Sequence, residues 1–586
     1  MLKTVEYRTD FCVVGGGLAG ICAAVAAARR GTKVVLMHDR AMLGGNASSE
    51  IRMWVCGAQG KNVAETGIME ELFMENLCSN PYKLYPVFDS MLWDFVKKEK
   101  NITLLMNCSC MDAEMNGNRI KSVTGWQMTT QQFCRVYADN FSDCSGDSIL
   151  APLTGAHYRV GREAADEFGE NVSTKTADKK TMGNSCLIQA HKGTEKVSYT
   201  APSFAMKLTD DDVRYRCPNM KSSSENYWYL ELGGDRDTIG DAELIRDELI
   251  ALAYGMWDYI KNSGRFDDAD YWQLDFIGFL PGKRESRRMV GRYIMTQNDI
   301  ISDRAFPDVV AYGGWPLDDH DPAGFRYDGH PNTSYKTPAP YAIPYRSLYS
   351  ENIENLFFAG RNISMTHAAM SSTRVMATCA VCGQAVGTAA AAANKYKCSP
   401  NVVYEKHLDE LQNNLLWDDC LLPHHPRIPE KLTQNAKLTI NGNKSAELEN
   451  LRDGNDRENV FECAANDVIE YSFESPVKIN EVRIIFDSDL DRETLPGDGC
   501  ERKHMTRCNL LPDSPVMHLP STLCKAFTVE AETADGKTKI LADVADNARR
   551  MFRIKCEETD IKFLRLIMAE ANCEGNAMRL FSFEAR

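Results

Sequence analysis

The sequence predicts an α/β domain built on an N-terminal βαβ unit, interrupted by an α+β region and followed by an all-β sandwich. Three observations lead to this fold class. Residues 10–40 read as strand, glycine turn, alanine-rich helix and strand. A strand and a long apolar helix return after "NIENLFFAGR", and the chain beyond residue 432 shows short strands with little helix. Because 586 residues exceed what one hydrophobic core supports, several domains are expected.

Changes of composition set the predicted domain boundaries. Polar loops and aromatic clusters replace the βαβ pattern after Leu150, and the proline-rich "LLPHHPRIPEKL" precedes the sandwich. We therefore predict a nucleotide-binding domain whose first part is 1–150, a substrate or cap domain at 151–343, the second part of the nucleotide domain at 344–400, a linker at 401–432, and the sandwich at 433–586.

The first element is a glycine turn between a strand and a helix. Gly15, Gly17 and Gly20 follow "FCVV" and open "LAGICAAVAAARRG". The first glycine makes a tight turn, the second lets a pyrophosphate approach the backbone, and the third allows close packing of helix on strand. A glycine triplet alone is weak evidence, but its place in a Rossmann-like βαβ unit favours dinucleotide binding over a purely structural turn.

The end of the second strand departs from the usual dinucleotide pattern. An acidic residue normally meets the ribose there, whereas this chain has His38 with Asp39 beside it. Either the imidazole and the carboxylate share that contact, or Asp39 makes it after a small shift of the strand end.

Two further elements are predicted downstream. "NITLLMNCSCMDAEMNGNRIKSVTGWQ" alternates like two strands joined by an Asn-Gly turn. An amphipathic helix is predicted over Asp241–Asn262, ending at Gly264. Its apolar face is predicted to contain Leu244, Leu249, Leu252, Met256 and Ile260.

Composition limits the partners and the location. The net charge of -15 excludes nucleic acid as substrate, because phosphate binding needs basic clusters and the longest here is the short "GKRESRR". The first strand begins too early for a secretory leader, so a cytoplasmic location is expected unless a leader was removed. The run "VMATCAVCGQAVGTAAAAA" is weakly apolar and interrupted by Gln384, which favours a buried helix over a membrane anchor.

The 20 cysteines lie scattered through apolar runs, which favours buried free thiols over a disulfide framework. Cys379 and Cys382 form a Cys-x-x-Cys pair within the alanine-rich run, where packing is favoured over redox or metal chemistry. No metal site is predicted from the sequence in the nucleotide-binding part.

At "LGGNASSEIR" and "NLFFAGRNISMTHAAMSSTRVMATCAVCGQAVGTAAAA" the chain resembles a known family. It is similar to FAD-dependent oxidoreductases with a glutathione-reductase-type fold, in particular a bacterial carbohydrate-associated group distantly related to the flavin module of heterodisulfide reductase. The resemblance covers roughly residues 8–400. It also rests on "VVGGGLAG", "DCSGD", "YRVGREAADEFGE", "LPGKRESRRMVG" and "AYGGWPLDDH".

The resemblance implies FAD as the cofactor and assigns contacts to it. It implies that Gly360 and Arg361 pass the pyrophosphate, that Asp147 approaches the adenosine half, and that the helix containing Gln384 points its N-terminus at the flavin. A helix N-terminus suits that place, because reduced flavin is negative near N1. Further cofactor contacts are expected in the loop at Gly44, Gly45 and Asn46.

Candidate catalytic residues follow from the same segments. His367 lies between the flavin-contacting strand and helix, which suggests a general acid or base, although a structural role stays equally open. Arg374 is expected to anchor an anion or polarise the flavin, or to serve as a salt-bridge partner. Arg284 or Arg287 is expected to bind substrate, with a solvated basic turn as the alternative. His320 is the second acid–base candidate.

The terminal sandwich resembles galactose-binding-like domains. Its loop "LENLRDGNDRENVFE" matches one that holds calcium in such domains, with Asp453 and Asp456 as conceivable ligands. For the sandwich itself, a packing or dimer role is favoured over sugar binding.

Three hypotheses of function remain at this stage. The first is an FAD-dependent oxidoreductase that transfers hydride between flavin N5 and a small molecule such as a sugar, polyol or glycoside. The second is a glycan-binding protein with a vestigial nucleotide module, which the complete set of flavin motifs disfavours. The third is a flavin electron-transfer component related to heterodisulfide reductase, which the absence of a Cys-x-x-Cys-x-x-Cys run disfavours. The oligomeric state is not predicted.

Overall fold

The structure is a computed structural model that describes residues 2–491, 504–514, 516–572, 575 and 577–586. The chain divides into two compact units. The first unit comprises Met1–Gln59, Tyr82–Gln412 and Lys503–Pro515, and the second comprises Gly60–Pro81, Asn413–Arg502 and Val516–Arg586.

The α-helices of the described residues are numbered in chain order. They are α1 Leu18–Arg29, α2 Ile68–Ser79, α3 Tyr85–Lys97, α4 Leu150–Thr154, α5 Ala165–Phe168, α6 Ala242–Asn262, α7 Gln297–Ile301, α8 His367–Thr373, α9 Met376–Tyr396, α10 Pro400–Lys406, α11 Leu408–Trp417 and α12 Lys431–Gln434. Short 3-10 turns occur at Gly45–Ala47, Ala269–Tyr271, Gly324–Arg326, Tyr345–Ser347 and Ala446–Arg452.

The strands are numbered in the same way. They are β1 Thr4–Val14, β2 Val34–Met37, β3 Ile102–Leu105, β4 Cys108–Asn116, β5 Arg119–Gln127, β6 Gln132–Asp143, β7 Tyr158–Arg159, β8 Asn184–Ser185, β9 Ile188–Lys192, β10 Glu231–Leu232, β11 Trp272–Ile277, β12 Gly282–Lys283, β13 Arg288–Met289, β14 Val309–Gly313, β15 Leu317–Asp319, β16 Thr333–Tyr335, β17 Tyr341–Pro344, β18 Leu356–Phe358, β19 Lys437–Ile440, β20 Phe461–Cys463, β21 Val468–Phe486, β22 Asn509–Leu510, β23 Cys524–Thr533, β24 Thr538–Val544, β25 Met551–Ala571 and β26 Met578–Ala585.

The main sheet of the first unit has seven strands. Its parallel part runs β3-β2-β1-β6-β18, and β5 and β4 add an antiparallel hairpin to β6. The C-terminal parts of β1 and β6 are both buried, as expected for parallel strands covered on both faces, and that of β1 is wholly apolar. The carboxyl ends of β1, β6 and β18 meet at one edge, which is where ligands bind in open α/β sheets.

Two helices pack backbone to backbone behind this edge. A Cβ atom on Gly383 of α9 would lie 2.1 Å from the carbonyl oxygen of Ala19, and one on Gly387 would lie 2.1 Å from that of Ala23 in α1. Alanine and glycine therefore dominate both helices because a larger side chain would separate them. Helix α9 is long and apolar enough by composition to cross a membrane, but 94% of its apolar window is buried inside the protein.

Residues 151–343 form short sheets of two or three strands around α6. Leu249, Leu252, Met256 and Ile260 of α6 are fully buried, as predicted. The prediction for Leu244 was wrong, because its side chain is 62% exposed in the first turn of the helix. This region packs within the first compact unit and is not a separate one.

The second unit is an antiparallel sheet folded on itself. Strand β21 pairs with β19 along Ile469–Ser472 and with β26 along Val482–Phe486, with register shifts between these two parts. The long strands β21 and β25 thus bend from one layer into the other. Across the layers, the Tyr471 hydroxyl donates to the Phe583 carbonyl at 2.8 Å. This arrangement fits the predicted β-sandwich.

Helix α2 belongs to this second unit, although the sequence placed it in the nucleotide-binding domain. Met74 and Leu77 of α2 are part of the apolar core of the sandwich. Local sequence did not reveal this, because the core partners of α2 lie more than 350 residues downstream in the chain.

The proposed calcium ligands are engaged by protein groups. Asp456 accepts from Arg483 Nη2 at 2.7 Å and from Arg427 Nε at 3.1 Å. Burial alone would raise the pKa of Asp456, but the two guanidinium groups lower it to about 2. Asp453 accepts from the Asn455 backbone and the Asn459 side chain. Arginine cations, in place of a metal ion, therefore neutralise Asp456.

Every cysteine that the structure describes is a free thiol, and most are buried. Cys379 and Cys382 both lie inside α9, where they pack among apolar residues.

Candidate functional site

A cavity of about 630 Å³ opens at the carboxyl edge of the parallel strands. Its lining residues come from two sets of segments. One set comprises glycine-rich loops after β1, β6 and β18 and the loop after β2. The other comprises charged and aromatic side chains from residues 151–343 and the start of α9.

The glycine turn after β1 has the geometry that its spacing predicts. Gly15 has φ +109°, and a Cβ there would lie 2.3 Å from the Cys144 carbonyl oxygen. A Cβ on Gly20 would lie 1.8 Å from the Gly15 oxygen. At Gly17 the nearest atom to such a Cβ is 3.9 Å away. The fold itself therefore requires Gly15 and Gly20, whereas Gly17 leaves room that a ligand can occupy.

Gly17 is also the N-cap residue of α1, and no side chain caps this end of the helix. The first backbone N–H groups of α1 thus face the cavity, where they can bind an anion such as a pyrophosphate.

His38 is buried and is hydrogen-bonded to the glycine turn. Its Nδ1 accepts from the Gly16 backbone at 3.0 Å, and its Nε2 donates to the Met42 carbonyl at 2.8 Å. Burial lowers the pKa of His38 to about 4, against the smaller opposing effect of Asp39. The imidazole is therefore neutral with both nitrogens used by the backbone. Of the two sequence candidates for the ribose contact, Asp39 is the exposed one.

The loop after β2 lies against the glycine turn. Gly44 and Gly45 have φ +105° and +62°, and a Cβ on Gly45 would approach the Gly17 Cα to 3.1 Å. Asn46 donates to the Lys283 carbonyl at 3.0 Å. The three predicted cofactor contacts of this loop therefore line the cavity together with Gly17.

The ends of β6 and β18 supply a charged cluster on the opposite wall. Asp147 accepts from Arg361 at 2.7 Å and from Lys283 at 2.8 Å. Burial opposes its ionisation, but Arg361 and Lys283 hold the pKa of Asp147 well below its usual range. Gly360, with φ +118°, turns the chain so that Arg361 reaches this cluster. The buried Arg361 Nε has no hydrogen-bond partner in the described part of the chain.

The prediction for Gln384 was wrong. Helix α9 begins at Met376, so Gln384 lies two turns inside the helix, buried and outside the cavity lining. Val375, Met376 and Cys379 line the cavity in its place. The N-terminus of α9 therefore does face the cavity, as predicted, but the helix begins at Met376, eight residues before Gln384.

The structure also contradicts His367 as the acid or base in the cavity. Its Nδ1 lies 2.8 Å from Glu285 Oε2 and its Nε2 lies 3.2 Å from Asp319 Oδ1. Burial would lower the pKa of His367, but these two carboxylates raise it to about 10. His367 is absent from the cavity lining. It is a buried imidazolium at the start of α8, and the structural alternative fits it better.

His320 lines the cavity and has a different environment. Its Nδ1 lies 2.6 Å from Glu231 Oε2. Burial alone would raise the pKa of Glu231, but Arg284 and His320 lower it below its usual value. His320 Nε2 lies 3.1 Å from Arg374 Nη2 and 3.3 Å from Asp318 Oδ2. A neutral Nε2 accepts from Arg374, and a protonated Nε2 donates to Asp318, so either protonation state has a partner.

Arg284 and Arg374 also line this end of the cavity. Arg284 donates to Ser185 Oγ at 2.8 Å and pairs with Glu231 at 3.3 Å. Arg374 pairs with Asp318 at 3.1 Å, and its buried Nε has no hydrogen-bond partner among the described residues. Both arginines therefore lie at the cavity, and each is paired with a carboxylate. Arg287, the alternative to Arg284, is absent from the lining.

Several lining residues were not predicted. Trp54, Trp228, Trp315 and His504 add aromatic surface, and the rings of Trp54 and His504 lie 4.6 Å apart. Trp228 belongs to the aromatic cluster "NYWYL", whose composition was visible in the sequence. His504 gave no signal, because it belongs to a segment assigned by sequence to the sandwich.

A known protein family matches most of the chain. Its model, described as FAD dependent oxidoreductase, matches residues 10–415. A search of curated proteins finds no significant match.

Among solved structures, similarity is found to carbohydrate-binding modules. The family 32 module of Streptococcus pneumoniae EndoD is 14% identical, with a TM-score of 0.20, over 26% of this chain and 97% of that one. Chitosan-binding module 1 of a Paenibacillus sp. IK-5 chitosanase/glucanase is 13% identical, with a TM-score of 0.18, over 28% and 99%. The family 32 module of Clostridium perfringens NanJ, solved with galactose, is 7% identical, with a TM-score of 0.19, over 27% and 97%.

Proposed function

Since the chain belongs to the FAD-dependent oxidoreductases and binds FAD as that family does, we propose that it oxidises a hydroxyl-bearing carbon of a sugar, polyol or glycoside, or reduces the corresponding carbonyl. The observation that carries this proposal is the position of His320. Its imidazole lines the cavity, and its Nε2 has a partner in either protonation state.

The residues of the cavity fit FAD. The space beside Gly17 and the uncapped start of α1 suit the pyrophosphate, and Arg361 adds a cation with an unpartnered Nε. The start of α9 offers backbone N–H groups and a partial positive charge to an electron-rich ring. FAD, when bound, supplies the acceptor or donor of hydride at N5 of its ring system.

His320 moves the proton in the proposed reaction. As the hydroxyl carbon loses hydride to the flavin and a C=O bond forms, the hydroxyl proton passes to Nε2 of His320, whose lone pair gives up its hydrogen bond from Arg374 Nη2 when the hydroxyl binds. The charge that develops on the ring is stabilised by Glu231 at Nδ1 and by Asp318 at Nε2. The reverse reaction returns the proton from Nε2 to the carbonyl oxygen. A positioned acid or base of this kind accelerates reactions by roughly 10²–10⁴-fold.

Charge pairing at this end of the cavity favours an uncharged substrate. Arg284 is matched by Glu231 and Arg374 by Asp318, so the charge of each guanidinium is balanced before a substrate enters. An anionic substrate would add a negative charge beside an already balanced pair, whereas a neutral hydroxyl would not.

Both aromatic and polar side chains line the cavity. Trp54, Trp228 and Trp315 offer flat apolar faces, while Asn332 and Ser334 offer hydrogen-bonding groups. Pyranose rings have apolar C–H faces and a rim of hydroxyls, so this combination suits a sugar or glycoside better than an aliphatic alcohol.

The test is anaerobic mixing of the FAD-loaded protein with a panel of neutral sugars, polyols and glycosides and the matching uronic acids. We expect bleaching of the flavin absorbance by a neutral member and a weaker response to its acid. A flavin that dithionite reduces but that no panel member in either redox direction affects would contradict the proposed substrate class.

A further inference from the structure

A second cavity of about 430 Å³ lies in the first unit and shares no lining residue with the FAD cavity. We call it the Arg52 groove. Its lining includes both polar residues, among them Arg52, Gln189 and Lys192, and apolar residues, among them Leu84, Pro86 and Leu511.

The guanidinium of Arg52 is held in place by hydrogen bonds and makes no close ion pair in the described structure. Its Nε donates to the Ser49 carbonyl at 3.1 Å, and its Nη1 donates to Gln189. The group lies 3.9 Å from the centre of the Phe276 ring. Among the described residues, no carboxylate lies within ion-pair distance of Arg52 and its Nη2 makes no hydrogen bond. A cation with free N–H groups is therefore held in place at the groove.

The other charged groups of the groove are already paired. His191 lies 2.7 Å from Asp275, and Lys192 lies 2.9 Å from Asp268. Asp89, which faces Arg52 from α3, accepts from the Ser49 backbone at 3.0 Å. Asp89 and Asp275 act on Arg52 only at longer range, so an anion entering the groove would meet Arg52 as a cation without a close ion pair in the described structure.

The backbone at Arg52 is in the left-handed region, with φ +69°. Its neighbours Ile51 and Met53 line the FAD cavity, while Arg52 itself lines the groove. A non-glycine residue rarely keeps this conformation without support, and such positions are concentrated at functional sites. Here it directs one side chain of the loop away from the FAD cavity and into the groove.

From these observations we propose that the Arg52 groove is a second binding site, which takes a small organic carboxylate. The carboxylate would accept from Arg52 Nη1 and Nη2, since a guanidinium presents parallel donors to it. The apolar part would lie against Leu84, Pro86 and Leu511. A cavity of this size and apolar lining suits an aromatic or aliphatic acid better than a bare phosphate.

The experiment is calorimetric titration of the FAD-loaded protein with benzoate, and separately with acetate and inorganic phosphate. Benzoate should bind, acetate more weakly because it lacks the apolar part, and phosphate weakest. Arg52→Gln should weaken benzoate by about tenfold to a hundredfold, the usual effect of losing hydrogen bonds from a charged group. Lys196→Gln, which removes an exposed lysine outside the groove, is the matched control and should change nothing.

Pro86→Glu provides a second variant. Pro86 is exposed in the first turn of α3, where an acidic residue is well tolerated, so the fold should be kept. Its carboxylate would repel the ligand and weaken benzoate as Arg52→Gln does. Equal binding of benzoate to wild type and both variants, no saturable binding to wild type, or phosphate binding more tightly than benzoate would each overturn the proposal.

Discussion

Nδ1 of His320 lies 2.6 Å from Oε2 of Glu231, and both side chains are buried. An ionised Glu231 accepts the hydrogen bond from a protonated Nδ1, which leaves Nε2 as the ring nitrogen that would exchange a proton in the proposed reaction. Two arginines from other segments also contact this pair: Arg284 forms an ion pair with Glu231, and Arg374 lies within hydrogen-bond distance of Nε2 of His320.

The first prediction concerns His320. His320→Asn should keep FAD and the visible spectrum, because its contacts are at the substrate end of the cavity. Flavin reduction by a competent substrate should slow by roughly 10²–10⁴-fold, as measured by anaerobic stopped-flow. The matched control is His157→Asn, an exposed histidine outside the cavity. An unchanged reduction rate in His320→Asn would exclude it as the acid or base.

The second prediction concerns Gly17. Its φ of -68° suits any residue, and a Cβ would meet no protein atom closer than 3.9 Å. Gly17→Leu should therefore fold with an almost unchanged Tm as apoprotein, yet fail to bind FAD, because the side chain fills the space beside the helix N-terminus. Circular dichroism and flavin absorbance measure the two effects separately. Normal FAD content in this variant would mean that the pyrophosphate lies elsewhere.

The third prediction concerns the buried His367 imidazolium. Its pKa is about 10 in the folded protein and near 6.5 when unfolded, so the folded state binds the proton more tightly. The resulting stability is fully present below pH 6.5 and is lost as the pH rises through 10. The difference in Tm between wild type and His367→Gln should be largest at pH 6 and shrink towards pH 10. A difference that stays constant over this range would contradict a charged His367.

The fourth prediction concerns Asp456 in the sandwich. Because Asp456 balances Arg427 and Arg483, Asp456→Ala should lower the free energy of unfolding by about 3–5 kcal/mol, the usual effect of breaking a buried ion pair. Asp453→Ala, at an exposed position of the same loop, should cost much less. Neither EDTA nor added calcium should shift the Tm of the wild type in calorimetry. Stabilisation by calcium of several degrees would show that the loop does bind the ion.

The sequence predicts those features of the fold that depend on residues close together in the chain. Gly15, Gly17 and Gly20 specify the turn because each position leaves to other atoms the space that a side chain would fill. The Asn-Gly step between β4 and β5 likewise specifies the hairpin. The same reasoning failed for His367 and Gln384. What decides the role of His367 is the presence of Glu285 and Asp319, and no local pattern links these residues to it.

The residues that the sequence missed share one property. Glu231 and Asp318 both contact His320. His504 reaches the cavity in a segment whose other neighbours in the chain belong to the second unit. These residues line the cavity or contact a residue that does because segments far apart in the chain come together in the fold, and neither periodicity nor motif spacing predicts such contacts.

The backbone contact between α1 and α9 also bears on the order in which the protein matures during synthesis. The glycine turn and α1 leave the ribosome first, but Ala19 and Ala23 obtain their partners only after Gly383 and Gly387 have been translated. At roughly 5–20 residues per second, that interval lasts from about twenty seconds to over a minute. A nascent chain that carries the complete glycine motif therefore still lacks the support of its first helix, and cofactor loading is a late event.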